Sequence, residues 1–306
     1  MRWKFLLPYY WPAWLAIALV WLFALLPYSF LLRIGSGLGW IARRVLWAQV
    51  KTVRTNLRLC LPELSEAERE HILDQHFSNL GTAVGETALA WWAPPERIRT
   101  LGRIDGMEHV DGALAVGRGV ILLAAHFTTL EITARLMTAT RDTCAVYRKT
   151  DNELISVFLQ WRRESVSKRA IPRDDIRSVV RALKDNEIVW YAPDQAYRKK
   201  GAEMVPFFGI PVATNTATSR LARMTGAAVL PYFAERLAAG GYIVTIGPPL
   251  QHYPTDDSVA DAQHVHELIE AQVRRIPAQY LWVHKRLKGL GDSDPDYYGD
   301  TAEGRL

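Results

Sequence analysis

Hydrophobic periodicity changes several times along the 306-residue chain, and each change predicts a different kind of element. From Phe5 to Leu32 no charged residue occurs. Roughly 20 helical residues at about 1.5 Å each would cross a hydrocarbon layer. Pro8, Pro12 and Pro27 restrict the unbroken helix to about 13–26, since proline removes a donor and clashes with the preceding turn. The pattern therefore predicts a hydrophobic membrane-anchor helix within 1–34, either spanning the bilayer or lying in one leaflet. Trp11, Trp14, Trp21 and Tyr28 suit the headgroup region, where an amphipathic ring keeps one end wet. A cleaved signal peptide fits less well, because its apolar core would carry fewer aromatic residues and prolines. Gly35, Gly37 and Gly39 lack the preceding strand and full glycine pattern of a phosphate loop, so they predict close helix packing or a flexible turn.

Downstream, helical spacing alternates with short apolar runs. Ser65 with Glu68 three residues on makes a capping box for a helix over 65–89. Strands are predicted over 119–125, 143–147, 187–192, 227–233 and 242–246, and helices over 130–137, 153–167, 176–184, 215–224 and 258–275. Strands separated by helices imply an α/β domain over 35–290, a mixed, largely parallel sheet flanked by helices. The polar, acidic stretch 291–306 reads as a loose tail.

Charge and composition narrow the partners. Arg2, Lys4, Arg33, Arg43, Arg44, Lys51, Arg54 and Arg58 all precede the first acidic residue, Glu63. A segment of one sign lies against anionic lipid or an anionic substrate, with the following domain on the cytoplasmic face. The net charge of +5 and 49% hydrophobic content allow one substantial core besides the anchor. Two cysteines, Cys60 and Cys144, make neither a disulfide framework nor a zinc site, which fits a reducing compartment. Arg162, Arg163, Lys168, Arg169 and Arg173, with Arg198-Lys-Lys200, are basic runs that meet anionic partners or form solvated faces. No nucleic-acid recognition module accompanies them.

The candidate chemistry centres on His126-Phe-Thr-Thr-Leu-Glu131. Five residues apart on one helix, His126 and Glu131 would point roughly 140° away from each other. If a strand ends at His126 and Thr128 or Thr129 caps a helix starting near Leu130, a turn brings Glu131 under the imidazole. The carboxylate then holds one ring N–H and leaves the other nitrogen to accept a proton from a hydroxyl. No Ser or Cys nucleophile sits in the motif, so direct transfer onto an alcohol is the simpler chemistry. Arg148 and Asp194 also follow predicted strands, at the sheet edge where active groups gather. Arg148 suits a phosphate or carboxylate, Arg163 can reach the same pocket from its helix, and Asp194 can bind substrate or order its loop. The plainer alternatives are a buried strand-end histidine beside an unrelated glutamate, a surface ion pair, a solvated arginine and a loop cap. No clustered ligand spacing calls for a metal.

Together these residues resemble the glycerolipid acyltransferases, whose histidine and acid stand at the spacing of His126 and Glu131. Val146-Tyr-Arg148, Trp190-Tyr-Ala-Pro-Asp194, Tyr280-Leu-Trp-Val-His-Lys-Arg286, Asn56-Leu-Arg-Leu-Cys-Leu-Pro-Glu63 and Gly106-Met-Glu-His109 are similar to blocks of one branch, the bacterial lipid A late acyltransferases. Pro193-Asp194-Gln195 replaces the Pro-Glu-Gly block of the phospholipid enzymes, which argues against a glycerol-phosphate acceptor. The resemblance implies His126 and Glu131 as the catalytic pair, with Arg148, Arg163 and Asp194 at the substrate site. It also implies a glycerolipid acyltransferase-like fold at the bacterial inner membrane. The donor would be acyl-acyl carrier protein and the acceptor a 3-hydroxyacyl chain of Kdo2-lipid IVA, with a lauroyl-type chain favoured and no cofactor. Acyl carrier protein, the lipid A precursor and membrane phospholipids would be its partners. Alternatives are an acyl-CoA-dependent enzyme acting on another glycolipid or phospholipid, and a catalytically silent membrane-associated interaction protein.

Overall fold

The computed structural model describes residues 3–148, 150, 152–291 and 293–299. In chain order the elements are α1 (Trp11–Ala24), α2 (Tyr28–Val45), α3 (Trp47–Cys60), α4 (Glu66–Trp92), α5 (Pro95–Arg99), β1 (Gly102–Asp105), α6 (Met107–Ala115), β2 (Val120–Leu123), α7 (Leu130–Thr140) and β3 (Thr143–Tyr147). There follow α8 (Glu153–Val166), β4 (Arg169–Pro172), α9 (Ile176–Lys184), β5 (Ile188–Tyr191), β6 (Ala202–Phe207), β7 (Ile210–Asn215), α10 (Ala217–Thr225), β8 (Ala228–Arg236), β9 (Tyr242–Ile246) and α11 (Ser258–Arg275). Seven strands form one sheet in the order β1-β9-β8-β2-β5-β3-β4. Every pair in it is parallel except β8 with β9. β6 and β7 make a separate hairpin.

The alternation of side chains along a strand builds two cores from this one sheet. Ile121, Leu123, Val189 and Val229 face a core closed by α3, α4, α9, α10 and α11. Val120, Leu122, Ile188 and Leu230 face the other, closed by α4, α5, α6 and α7. β2 is buried along its whole length because it lies at the centre with helices on both faces.

Most predicted elements stand within a residue or two of their expected ends, and the Ser65–Glu68 capping box forms. The hairpin is new, and Asn215, expected in a helix, ends β7 and accepts from the Ala217 N–H at 2.9 Å. Its turn residues Phe208 and Gly209 both have positive φ, the geometry of a two-residue hairpin turn, without the usual Asn-Gly signal. Within the stretch expected to be a loose tail, Tyr298 is buried, accepts from the Leu287 N–H at 2.9 Å and donates to Asn56 Oδ1 at 2.5 Å. Residues 300–306 of that tail, like Arg2 of the basic segment, lie outside the described residues.

The N-terminal expectation of one anchor helix needs correction as to spanning. The prolines divide the apolar stretch into 3-10 turns at Trp3–Leu6 and Pro8–Tyr10, the 14-residue α1, and α2 starting after Pro27. At about 1.5 Å per residue, α1 is roughly 21 Å long. No helix among the described residues is long and apolar enough to cross a membrane. The expected boundary at 34/35 falls inside α2.

α2 is held to α4 by glycines, as close packing at this segment predicts. A Cβ on Gly81 would lie 2.1 Å from the Gly35 carbonyl oxygen, and one on Gly39 would lie 2.1 Å from that of Phe77. Gly37 faces open space. Gly81→Ala is expected to destabilise by about 1–3 kcal/mol through overpacking, whereas Gly37→Ala, in an exposed helix position, should be neutral or mildly stabilising. Thermal unfolding of the two variants checks this; equal midpoints would contradict the close approach.

Candidate functional site

β2 and β5 pair in parallel with Leu123 opposite Tyr191. Three residues beyond each partner stand His126 and Asp194, so neighbouring strand ends deliver both to one place. His126 Nδ1 lies 2.6 Å from Asp194 Oδ1, and its backbone N–H donates to Oδ2 at 3.0 Å. Tyr280 Oη also donates to Oδ2, at 3.1 Å. Tyr280 comes from a segment that bridges to Phe127, with the Leu281 N–H bonded to the His126 carbonyl at 2.9 Å.

These contacts set the charges. Asp194 is 2% exposed, and burial alone would raise its pKa; the His126 charge, its two hydrogen bonds and the more distant Arg286 bring it down to about 2. Burial disfavours the imidazolium of His126, yet Asp194 outweighs burial and raises its pKa above the ordinary 6.5. An ionised carboxylate only accepts, so Nδ1 carries the hydrogen. Nε2 is left without a hydrogen-bond partner among the described residues, and the ring lines a cavity of about 460 Å³.

Glu131 lies on the first turn of α7, after Thr129 at the N-cap position. Contrary to expectation, it does not hold the imidazole. Its carboxylate accepts from Arg163 at 3.0 Å and from the Trp91 indole at 3.3 Å, while Asp194 takes the orienting position. The reason is topological: Glu131 is carried on a helix that faces α4 and α8, whereas Asp194 shares the strand-end edge with His126. Arg163 also stacks toward the Tyr147 ring at 5.4 Å.

Four of the five predicted site residues, His126, Glu131, Arg148 and Arg163, line the same cavity. Asp194 lies buried against the Nδ1 side of His126. Arg148 is exposed and also borders an adjoining cavity of about 330 Å³, which His126 shares. The other basic candidates divide. Arg162 lines the larger cavity, Arg173 the smaller, and Lys168 and Arg169 pair with the buried Glu187 at 3.0 and 2.8 Å.

Sequence reasoning missed Trp91, Tyr280 and His284 as site residues. The first stood within a Trp pair after a long helix, and the other two in the block Tyr280–Arg286, so the signal was present without a role. His284 borders the cavity and accepts from the Ala196 N–H through Nε2 at 3.2 Å. Burial, with the nearby His126 and Arg286, pushes its pKa down to about 4 despite Asp194, so it is a neutral imidazole at pH 7.

The comparisons with known proteins agree with one another. A family model described as bacterial lipid A biosynthesis acyltransferase matches residues 1–289. The chain is 38% identical to the lipid A biosynthesis lauroyltransferase of Escherichia coli K12, over 95% of this chain and 96% of that protein. It is 38% identical to the palmitoleoyltransferase of the same organism, covering 93% and 94%, and 30% identical to its myristoyltransferase, covering 92% and 88%.

The ion pair makes a prediction independent of turnover. Nuclear magnetic resonance of histidine-labelled protein should show the His126 ring titrating above 6.5, and Asp194→Asn should lower that midpoint by removing the charge that stabilises the imidazolium. An unchanged midpoint in the folded variant would detach Asp194 from the ring's titration.

Proposed function

Because this chain belongs to the bacterial lipid A biosynthesis acyltransferases, enzymes that must activate an alcohol, we propose that His126 is the general base of an O-acyl transfer from a thioester to a lipid A precursor. The observation that carries this reading is the imidazole held through Nδ1 by Asp194 at 2.6 Å, with Nε2 left at the cavity. Nε2 takes the acceptor proton as the hydroxyl oxygen attacks the thioester carbonyl. The tetrahedral intermediate collapses by breaking the carbon–sulfur bond, and the thiolate recovers the proton from the imidazolium. The backbone N–H groups opening α7 are the natural donors for the developing oxyanion.

Glu131 belongs to the same site by a different route. Fixed by Trp91, it positions Arg163 over the cavity, and Arg163 and Arg148 face an anionic part of the substrates. The donor proposed is acyl-acyl carrier protein, in keeping with Arg198, Lys199 and Lys200 as a basic surface for an acidic partner. The acceptor proposed is the hydroxyl of a 3-hydroxyacyl chain on Kdo2-lipid IVA. A lauroyl-type chain is favoured over myristoyl, in line with the 38% and 30% identities to the two named relatives; the palmitoleoyltransferase, equally similar at 38%, makes that chain the competitor. No cofactor enters these steps.

The placement proposed is the cytoplasmic face of the bacterial inner membrane. α1 is apolar all round, which a water-exposed helix is not. Trp11, Leu15, Leu19 and Leu22 are all about half exposed or more, a surface suited to one leaflet, with Trp3 and Tyr9 at the headgroups. An in-leaflet α1 keeps both ends on one side. Tyr9→Cys and Leu25→Cys should therefore both react with an impermeant maleimide from the cytoplasmic face, since Cys60 and Cys144 are buried; reaction from opposite faces would establish a span.

Activity is tested with purified, detergent-solubilised protein, Kdo2-lipid IVA and carrier proteins bearing lauroyl, myristoyl or palmitoleoyl chains, beside the acyl-CoA donors. His126→Ala is expected to lose roughly a hundred- to ten-thousandfold in rate. Near-normal transfer by the folded variant would remove His126 as the base.

A further inference from the structure

Four arginines reach the cavity that holds His126: Arg135, Arg148, Arg162 and Arg163. The single carboxylate lining it, Glu131, is committed to Arg163 and Trp91. Arg135 and Arg162 have no carboxylate partner among the described residues. Arg135 is 7% exposed; its Nη1 lies a long 3.4 Å from Thr138 Oγ1, and its buried Nε has no partner. The buried Nε of Arg162 has none either, and its guanidinium lies 5.0 Å from the Trp161 ring. Buried charges are ordinarily paired, and unsatisfied buried donors call for an explanation. Arg162 also opposes the charge on Arg135, whose pKa is lowered first by burial and then by Arg162 and Arg99, with Glu96 offsetting only part of this.

Two guanidinium groups from different helices, facing one cavity with donors to spare, fit a tetrahedral anion. Arg135 stands one helical turn beyond Glu131, on the same face of α7. Ala90, Ala134 and Met137 line the cavity beside it, and apolar walls strengthen a charge-assisted hydrogen bond. We propose that Arg135 and Arg162 form a phosphate-binding site that anchors a substrate phosphate one turn along α7 from Glu131, in the cavity that His126 lines. The inference rests on the acyl-transfer reading above and adds to it a substrate group and the residues that hold it. The phosphate comes either from the glycolipid acceptor, as a monoester, or from the phosphopantetheine arm of the donor, as a diester.

Two experiments on the full-length protein in detergent separate these readings. In the first, ³¹P resonance broadening of inorganic phosphate reports binding without turnover. Saturable broadening is expected with the wild-type protein and its loss in Arg135→Gln and Arg162→Gln; Arg162 is partly exposed, so its replacement leaves the fold intact even if that of Arg135 does not. In the second, KM is measured for the intact and enzymatically dephosphorylated acceptor, and for the carrier-bound donor against acyl-N-acetylcysteamine, which has no phosphate. If the site holds the acceptor, either substitution raises KM for the intact acceptor about ten- to hundredfold, the scale of a lost charge-assisted contact, and does not raise it further for the dephosphorylated one. If the same selective loss follows the donor phosphate instead, the site belongs to the phosphopantetheine arm. Equal losses with and without phosphate on both substrates, or no saturable phosphate binding by the wild-type protein, overturn the proposal. Phosphate binding that needs Arg135 in a folded protein that transfers no acyl group would leave the site standing and sink the acyl-transfer reading.

Discussion

Parallel strands point their carboxyl ends toward one edge of the sheet, and β2 and β5 also end in register, with Leu123 opposite Tyr191. That edge carries His126 after one strand and Asp194 after the other, each three residues past the last paired position. The register is enforced from a distance. Ile121 and Leu123 belong to one core, Val120 and Leu122 to the other, and a one-residue slip would exchange them. The hydrophobic partition of a central strand thus fixes a 2.6 Å contact between two polar groups, and one core reaches that contact through the Tyr280 hydroxyl on Asp194.

The site then works by keeping its carboxylates apart. Asp194 receives His126 and Tyr280, while Glu131 receives Arg163 and Trp91. One carboxylate serving both cations would weaken each pairing and leave the orientation of the imidazole open. With Asp194 held ionised down to about pH 2, the group of this pair that changes protonation near neutrality is His126. The unprotonated, proton-accepting form of His126 gains as pH rises, and its raised pKa moves that gain to higher pH, so the proposed base becomes available on the alkaline side of its own titration.

Local patterning carried much of the architecture. β3, β9, α9 and α11 have the ends their apolar periods predict, because each is bounded by polar or turn residues that compete poorly for the core. β1, β4 and α6 were not foreseen: four-residue strands such as Gly102–Asp105 carry too few alternations to stand out, and they become strands by pairing with β9 and β3. The site was legible in its composition and less so in its pairing. His126, Glu131, Arg148 and Arg163 were found from motif and position, and they share a cavity. Which carboxylate orients His126 was not legible, since sequence proximity favours Glu131 whereas strand adjacency, known only once the sheet order is known, favours Asp194. Arg135 escaped notice for a related reason: on a helix of one known face, nothing in the spacing tells a buried arginine from a solvated one.

The apolar N-terminus bears directly on the groove. Phe5, Ala13 and Leu154 form a small core of their own, and Lys4 pairs with Glu153 at 2.5 Å, so the N-terminal turns and α1 grip the start of α8. Farther along α8, Phe158 meets Trp91 at 5.4 Å and Trp161 at 5.9 Å, and Arg162 and Arg163 follow at once. Trp91 in turn holds Glu131. One helix therefore connects the exposed apolar N-terminal segment to two of the four cavity-lining arginines, Arg162 and Arg163. Displacing the N-terminal segment would remove the packing that fixes the α8 start, and the arginines at its far end would lose the rigid support on which a precisely placed anion contact depends. If α1 lies in lipid and the cavity holds an anion, as proposed, the two make complementary demands on the same helix: the first orients it, and the second neutralises the charge it carries inward.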